Sequence, residues 1–277
     1  MKLSFSTLGC PTLSLSEVSE CAVRGGYDTL EIRLDRENKL LGFDADNAAQ
    51  ARRVLDVHGL NAICLGTGLT FRGEVGEHTE GIDACARLAR AVGARALRIF
   101  AGSFVKIPSE IPEAEVAATA ASICACARIA EKYGVALWIE THSAYSTGES
   151  VAKLMERIDA KNVGVIWDIM HSIEFGEAPE KTVRYLGKHI VHVHLKDGVP
   201  PSGTESAHYV LTALGKGDVD FGEIADALRK IGYDGCLSLE WELMWHPELG
   251  ACYKDTDELL LAYRALVEEK MMGYQGL

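Results

Sequence analysis

The spacing of hydrophobic and polar positions switches repeatedly between two periods along this chain. Short runs with strand character occur at Leu3 to Thr7, Thr29 to Leu34, Ala62 to Gly66, Ala96 to Phe100, Ala136 to His142, Val163 to Asp168, Ile190 to Lys196 and Cys236 to Glu242. Between and after them, near 15–26, 45–58, 78–93, 111–133, 149–158, 178–187, 220–231 and 255–271, apolar positions recur every three to four residues, as in amphipathic helices. Ser16 and Asp220 read as helix N-caps, the latter with Glu223 as a capping box. The phrases AVRGGYDTLEI and LRKIGYDGCLSLE repeat one join, in which a helix ends at Gly and Tyr-Asp leads into a strand. Eight βα units in 277 residues predict an α/β fold, a single (β/α)8 TIM barrel over 1–277, in preference to an open sheet of five or six strands. No G-x-G-x-x-G follows the first run, so a dinucleotide-binding fold lacks its fingerprint.

The strands depart from the usual pattern of parallel sheets, which read as continuous apolar runs because both faces are covered. In ALWIETH, Leu137, Ile139 and Thr141 alternate with Trp138, Glu140 and His142; in IVHVHLK, Val191, Val193 and Leu195 alternate with His192, His194 and Lys196. TLEIRL sets Leu30, Ile32 and Leu34 against Glu31 and Arg33, and CLSLEWE sets Leu237, Leu239 and Trp241 against Ser238, Glu240 and Glu242. The outer face of a barrel strand meets helices, so the apolar set points outward and the polar set inward. Charges placed there cost several kcal/mol each unless paired, solvated or bound to a cation. They also cluster at the carboxyl ends of their strands, where barrel enzymes keep their sites.

Composition narrows the function classes. With 28 Lys+Arg against 40 Asp+Glu the formal charge is −12, which argues against a nucleic-acid partner, since backbone binding needs clustered cations. The longest apolar stretch, Val116 to Ala130, is interrupted by Thr119, Ser122 and Arg128 and is too short to span a bilayer. MKLSFSTLGC is broken by Ser4, Ser6 and Thr7 and reads as a strand, not a lipoprotein signal. Eight cysteines without framework spacing read as reduced thiols in a cytoplasmic protein.

Four strand ends offer metal-ligating groups: Glu140, Asp168, His194 and Glu240. Neighbouring strands lie about 4.8 Å apart, so these side chains can converge. Three carboxylates and one imidazole favour a single divalent ion of intermediate hardness, Mn2+ before Co2+, Mg2+ or Zn2+. The alternative is an internal salt-bridge network among Glu140, Glu240, Lys196 and Arg98, disfavoured by the shortage of inward cations. His192 reads equally as a hydrogen-bonded core histidine or a functional one, and His58, His78, His189 and His246 as surface or loop residues. The loop from Asp197 to Asp220 is the longest irregular connection, a lid candidate with His208 and Lys216 as substrate contacts and Gly215-Lys216-Gly217 as a phosphate-cradle candidate. Trp241, Trp245 and His246 would cover the site or form a homo-oligomer interface, with Trp241 on the outward, packing face.

WIETH, WDIMH, HVHLKD and GYDGCLSLEWE, in that order at the fifth to eighth strands, resemble the xylose isomerase-like barrel superfamily and its sugar isomerase/epimerase branch. The resemblance covers essentially the whole chain. It implies that Glu140, Asp168, His194 and Glu240 are metal ligands, that Glu140 and Glu240 also form the acid/base pair, and that His171 contacts a substrate oxygen. Glu31, Arg33, His142, Lys196 and His208 complete the candidate substrate-binding set. The implied activity is a divalent-metal-dependent isomerase or epimerase of a sugar, sugar phosphate or cyclitol, acting by proton transfer through an enediolate. Two departures weaken free-ketohexose specificity: Pro200 stands where the ketose 3-epimerases have an arginine, and Ser146 where they have a further glutamate. Lys196 and Asp197 look more like cyclitol and keto-acid relatives, which keeps an inosose dehydratase-type lyase as the alternative. An endonuclease IV-like nuclease shares Asp168 and His171 but needs histidines where this chain reads AICLG and ALRIF. A non-catalytic sugar-binding barrel is disfavoured because both glutamates are retained.

Overall fold

The computed structural model describes residues 1–35, 48–74, 76–107 and 109–272. Strands β1 (Lys2–Ser6), β2 (Thr29–Arg33), β3 (Asn61–Phe71), β4 (Ala96–Ala101), β5 (Ala136–Glu140), β6 (Val163–Asp168) and β7 (Ile190–Leu195) are parallel and close into a ring through β10 (Cys236–Leu239). The helices are α1 (Leu15–Gly25), α2 (Ala48–His58), α3 (Thr79–Val92), α4 (Glu113–Glu131), α5 (Gly148–Met155), α6 (Ile169–Glu174), α7 (Pro179–Leu186), α8 (Phe221–Lys230) and α9 (Thr256–Val267). The fold is the expected (β/α)8 TIM barrel. The part of the expected 45–58 helix before Ala48 lies outside the described residues.

Alternation sorts the side chains as read from the sequence. Leu30, Ile32, Leu137, Ile139, Val193, Leu195, Leu237 and Leu239 are buried between strands and helices in the main core. The lower half of the barrel interior is a small apolar plug of Ile63, Cys64, Ala96, Trp138, Ile166 and Cys236. His192 lies on this plug, its ring stacked 5.7 Å from Trp138, so the polar half of the interior begins directly above.

Several local expectations are corrected. The cap of α1 is Ser14, not Ser16: its hydroxyl accepts from Glu17 N while Glu17 reaches back to Ser14 N, a full capping box. Asp220 does cap α8, accepting from Glu223 N at 3.0 Å. The short helix α6 was not expected; Asp168 starts it by accepting Met170 N at 3.0 Å. The Asp197–Asp220 connection contains an antiparallel pair, β8 (Gly198–Val199) with β9 (Val210–Leu211). Its Gly215-Lys216-Gly217 turn cannot cradle a phosphate, because Asp197 Oδ2 already accepts Gly215 N (2.8 Å) and Gly217 N (2.9 Å). Among the described residues no helix is long and apolar enough to cross a membrane. All eight cysteines are free thiols.

Candidate active site

The ring order places β10, β7, β6 and β5 side by side, so the four candidate ligands come from one contiguous half of the barrel. Register finishes the alignment: Asp168 pairs with His194 across β6 and β7, and Glu240, one residue past β10, donates its N–H to Leu195 O at 3.0 Å. Thr141 fixes the height of Asp168, donating its hydroxyl to Asp168 O at 3.1 Å and accepting from Asp168 N at 2.9 Å. One ligand atom from each of Glu140, Asp168, His194 and Glu240 lies within 4.8 Å of all the others, and all four residues are buried.

His194 shows what this cluster is suited to hold. Its Nε2 meets Glu31 Oε2 at 2.7 Å, so that nitrogen is the donor. Its Nδ1 is buried without a hydrogen-bond partner, 3.7 Å from a Glu140 oxygen and 3.6 Å from a Glu240 oxygen. An imidazole fixed by a carboxylate on one nitrogen, with the other facing three carboxylates, is the donor set of a divalent-cation site with its supporting partner. The residues therefore fit a metal.

The salt-bridge network weighed from the sequence is formed as well. Arg98 Nη1 lies 2.7 Å from Glu140 and 3.5 Å from Glu240. Lys196 Nζ donates to Glu240 at 2.8 Å and to Glu242, and stands 2.8 Å from Asp168 Oδ2 as an ion contact without hydrogen-bond geometry. Five carboxylates (Glu31, Glu140, Asp168, Glu240 and Glu242) thus face three fixed cations (Arg33, Arg98 and Lys196), an excess of two negative charges before any imidazole is protonated.

Electrostatics follow from this crowding. Burial and the neighbouring Glu240 push the Glu140 carboxyl up, and burial raises that of Asp168. Burial would also raise Glu240, but Lys196 and His194 outweigh it and hold its carboxyl well below the usual range. Burial opposes charge on His194, yet Glu31 and Glu240 raise its pKa well above the ordinary value. Glu31 is in turn held far down, against its burial, by His194 and His192.

Above the cluster opens a cavity of about 420 Å3, a size within the range of small-molecule sites. Of the expected substrate-binding residues, Arg33, His142, His171, Lys196 and His208 line it. Glu31 does not: 1% exposed, it lies among His192 and His194, so its geometry is that of a residue orienting His194. Lys216 is not among the lining residues either, because the loop that carries it is turned onto Asp197. Trp241 is buried with its ring 5.4 Å from Tyr253, whereas Trp245 and His246, the latter read as surface or loop, reach the cavity wall.

Two imidazoles at the mouth are in opposite states. Burial and the nearby His171 keep His142 neutral, its pKa well below the usual value. Burial opposes charge on His171 too, but Asp168 and Glu174 outweigh it and raise its pKa to about 9. Glu174 was not expected from the sequence, although its spacing three residues after His171 on one helix face was available there. Its Oε2 meets His171 Nδ1 (3.1 Å) and His208 Nδ1 (3.0 Å), and its Oε1 accepts Tyr209 N (2.7 Å). It thereby ties the β8–β9 loop to α6. A second tie joins that loop to the one after β4, where Ala207 N donates to Lys106 O at 2.7 Å and the Phe104 and His208 rings stack at 5.2 Å.

The fold and the cluster define the class, a (β/α)8 barrel with a buried carboxylate–histidine group at its carboxyl end, and the family follows from similarity to known proteins. The profile of the xylose isomerase-like TIM barrel family matches residues 20–256, and the chain belongs to that family. It is 31% identical over 150 residues to an uncharacterized protein of Methanocaldococcus jannaschii (52% of this chain, 47% of the relative). It is also 31% identical over 107 residues to the inosose dehydratase of Clostridium botulinum Eklund 17B (35% of this chain, 36% of the relative). The chain thus matches less than half the length of these curated relatives. Among solved structures, the IolI protein with a bound zinc atom superposes with a TM-score of 0.80 at 20% identity, over 100% of both chains. An L-ribulose 3-epimerase superposes at 0.77 and 19% identity, over 98% of this chain and 95% of that one.

Proposed function

We propose that this protein is a divalent-metal-dependent isomerase or epimerase of a sugar, sugar phosphate or cyclitol in the cytoplasm, acting by proton transfer next to a carbonyl. The observation that carries the reading is the convergence of Glu140, Asp168, His194 and Glu240 within 4.8 Å at the floor of the cavity, with His194 Nδ1 lacking a hydrogen-bond partner. These four residues would hold the ion, Mn2+ before Co2+, Mg2+ or Zn2+. A bound divalent ion would supply Lewis acidity toward a carbonyl oxygen and the adjacent hydroxyl, which lowers the barrier to losing the proton on the hydroxyl-bearing carbon next to the carbonyl.

The chain's own residues do the rest. Glu140 and Glu240 end the two outer strands of the four-strand half, so they approach a molecule on the floor from different sides. One removes the proton to leave an enediolate. Return by the same glutamate to the neighbouring carbon isomerises, and return by the opposite glutamate to the original carbon epimerises. His171, an imidazolium, and His142, a neutral imidazole, offer a charged and an uncharged partner for substrate hydroxyls at the mouth. Phe104, His208 and Tyr209 narrow access to water from above.

One observation favours a second reading, a lyase of the inosose dehydratase type. The Lys196 ammonium is buried beside Glu240 and Glu242 and faces the same cavity, where it can protonate a departing hydroxide. The similarity to inosose dehydratases supports the same alternative.

Metal analysis of the purified protein tests the centre. The expected result is one equivalent of divalent metal, lost in Glu140→Gln and Asp168→Asn; stoichiometric metal retained in both variants would overturn the assignment. NMR of ketoses, their phosphates and inososes in deuterated solvent then reads the reaction, with exchange of one carbon-bound proton expected and abolished in Glu240→Gln.

A further inference from the structure

We propose that the substrate carries an oxyanion group, a carboxylate or a phosphate monoester, and that Arg33 is its receptor. This rests on the reading of the four-ligand cluster as the reaction centre and adds the class of molecule that reaches it.

Arg33 ends β2, lines the cavity and is 8% exposed. A guanidinium carries five N–H donors. Among the described residues the one hydrogen bond made by this side chain is Nη1 to Gly66 O at 2.6 Å, and no carboxylate lies within ion-pair distance of it. A buried cation left this way is costly, because desolvation is not returned by a partner. The other cations of the cavity are committed: Arg98 to Glu140 and, at 4.3 Å, to the face of Phe100, Lys196 to Asp168, Glu240 and Glu242, and the His171 imidazolium to Asp168 and Glu174. Burial and the charge of Arg98 depress the Arg33 pKa to about 10, although the more distant carboxylates of Glu240, Glu140 and Glu31 act in the opposite direction.

The arrangement looks built for a ligand. Gly66 pairs with Arg33 on one side and Arg98 on the other, so the two guanidiniums stand on strands flanking one glycine. A Cβ at Gly66 would lie 3.2 Å from Arg98 Nη2 and 3.5 Å from Arg33 Cδ, closer than such contacts normally come to the former. Around the ring β2 stands opposite β6, the strand of Asp168, and outside the half that carries the candidate ligands. A molecule with its reacting carbons on that half therefore presents its far end to Arg33, whose planar fork suits a two-oxygen anion.

The test is calorimetric titration of the full-length protein with inorganic phosphate and, separately, acetate at constant ionic strength. It is run on metal-loaded and chelator-treated samples of wild type, Arg33→Met and Arg33→Lys, with metal content measured on each. We expect one anion per chain in both wild-type states, at least tenfold weaker binding in Arg33→Met, a smaller loss in Arg33→Lys, and unchanged metal content. Preference for phosphate over acetate identifies a phosphate ester, and the reverse a carboxylate. Melting of chelator-treated, anion-free Arg33→Met no lower than wild type is expected for a charge kept for a ligand. Anion binding absent from the wild type, or equal in wild type and Arg33→Met, overturns the proposal, as does a lowered melting point with unchanged anion binding. Absence of metal together with Arg33-dependent anion binding would instead remove the proposed reaction and leave this receptor standing.

Discussion

Glu31→Gln isolates the link between the barrel interior and the candidate metal centre. Glu31 Oε2 accepts from His194 Nε2 at 2.7 Å and lies 3.3 Å from His192 Nε2, all three residues being buried. The substitution keeps the shape and an accepting oxygen but removes the charge. His194 then keeps its orientation and loses the carboxylate that makes its other nitrogen a better donor. Partners of this kind are worth 10- to 100-fold in metal affinity, or about 1.4 to 2.7 kcal/mol. Competition for Mn2+ or Zn2+ against a chromophoric chelator near neutral pH measures this directly, and circular dichroism melts confirm that the variant is folded. Affinity within twofold of wild type would refute the claim that Glu31 sets the ligating nitrogen. Unchanged metal affinity with weakened sugar binding would return Glu31 to the role its sequence position first suggested, a substrate contact.

The ties that hold the mouth give two further tests. Glu174 has its pKa lowered to about 2 and so stabilises the fold above its ordinary 4.5, a contribution lost as pH falls towards 2. His171 is raised to about 9 and stabilises below its ordinary 6.5, a contribution lost as pH rises through 9. Their joint contribution is complete between 4.5 and 6.5, so chelator-treated His171→Gln should show a flatter loss of stability between pH 6.5 and 9, by roughly 3 kcal/mol at most. Urea unfolding across that range measures it, and parallel curves for wild type and variant would count against the pair. Asp197 accepts N–H groups of Gly198, Gly215 and Gly217. Asp197→Ala should therefore cost about 1 to 3 kcal/mol and speed proteolysis within 198–220, read by urea melts and limited digestion.

The barrel was legible because its information is local and periodic. Alternation in ALWIETH or IVHVHLK assigns each side chain to a face without knowledge of any partner, and a one-residue error would have put Glu140 and His194 against the helices. Elements set by side-chain geometry were not legible in the same way. Helix α6 has only six residues and is begun by the Asp168 carboxylate, too brief to show a period. The β8–β9 pair has two residues per strand and depends on contacts to Glu174 and Asp197 from outside it.

The site divides along the same line. That buried carboxylates must be neutralised follows from charge alone, and the strand ends show which ones converge; which cation answers each carboxylate does not follow. Glu31 lies 163 residues from the histidine it orients, and Arg98 lies 42 from Glu140. The glycine turn at 215–217 illustrates the error this invites. Its free N–H groups suggested an external phosphate, yet the anion that fills it is Asp197, the chain's own. Arg33 is the inverse case. Sequence offers Glu31 as its neighbour on the same face of the strand, but Glu31 is taken by His194, and the wall that Arg33 reaches is one where Glu140 and Glu240 are already matched to Arg98 and Lys196. A residue's charge thus marks it as functional only once the partners that could have neutralised it are seen to be taken.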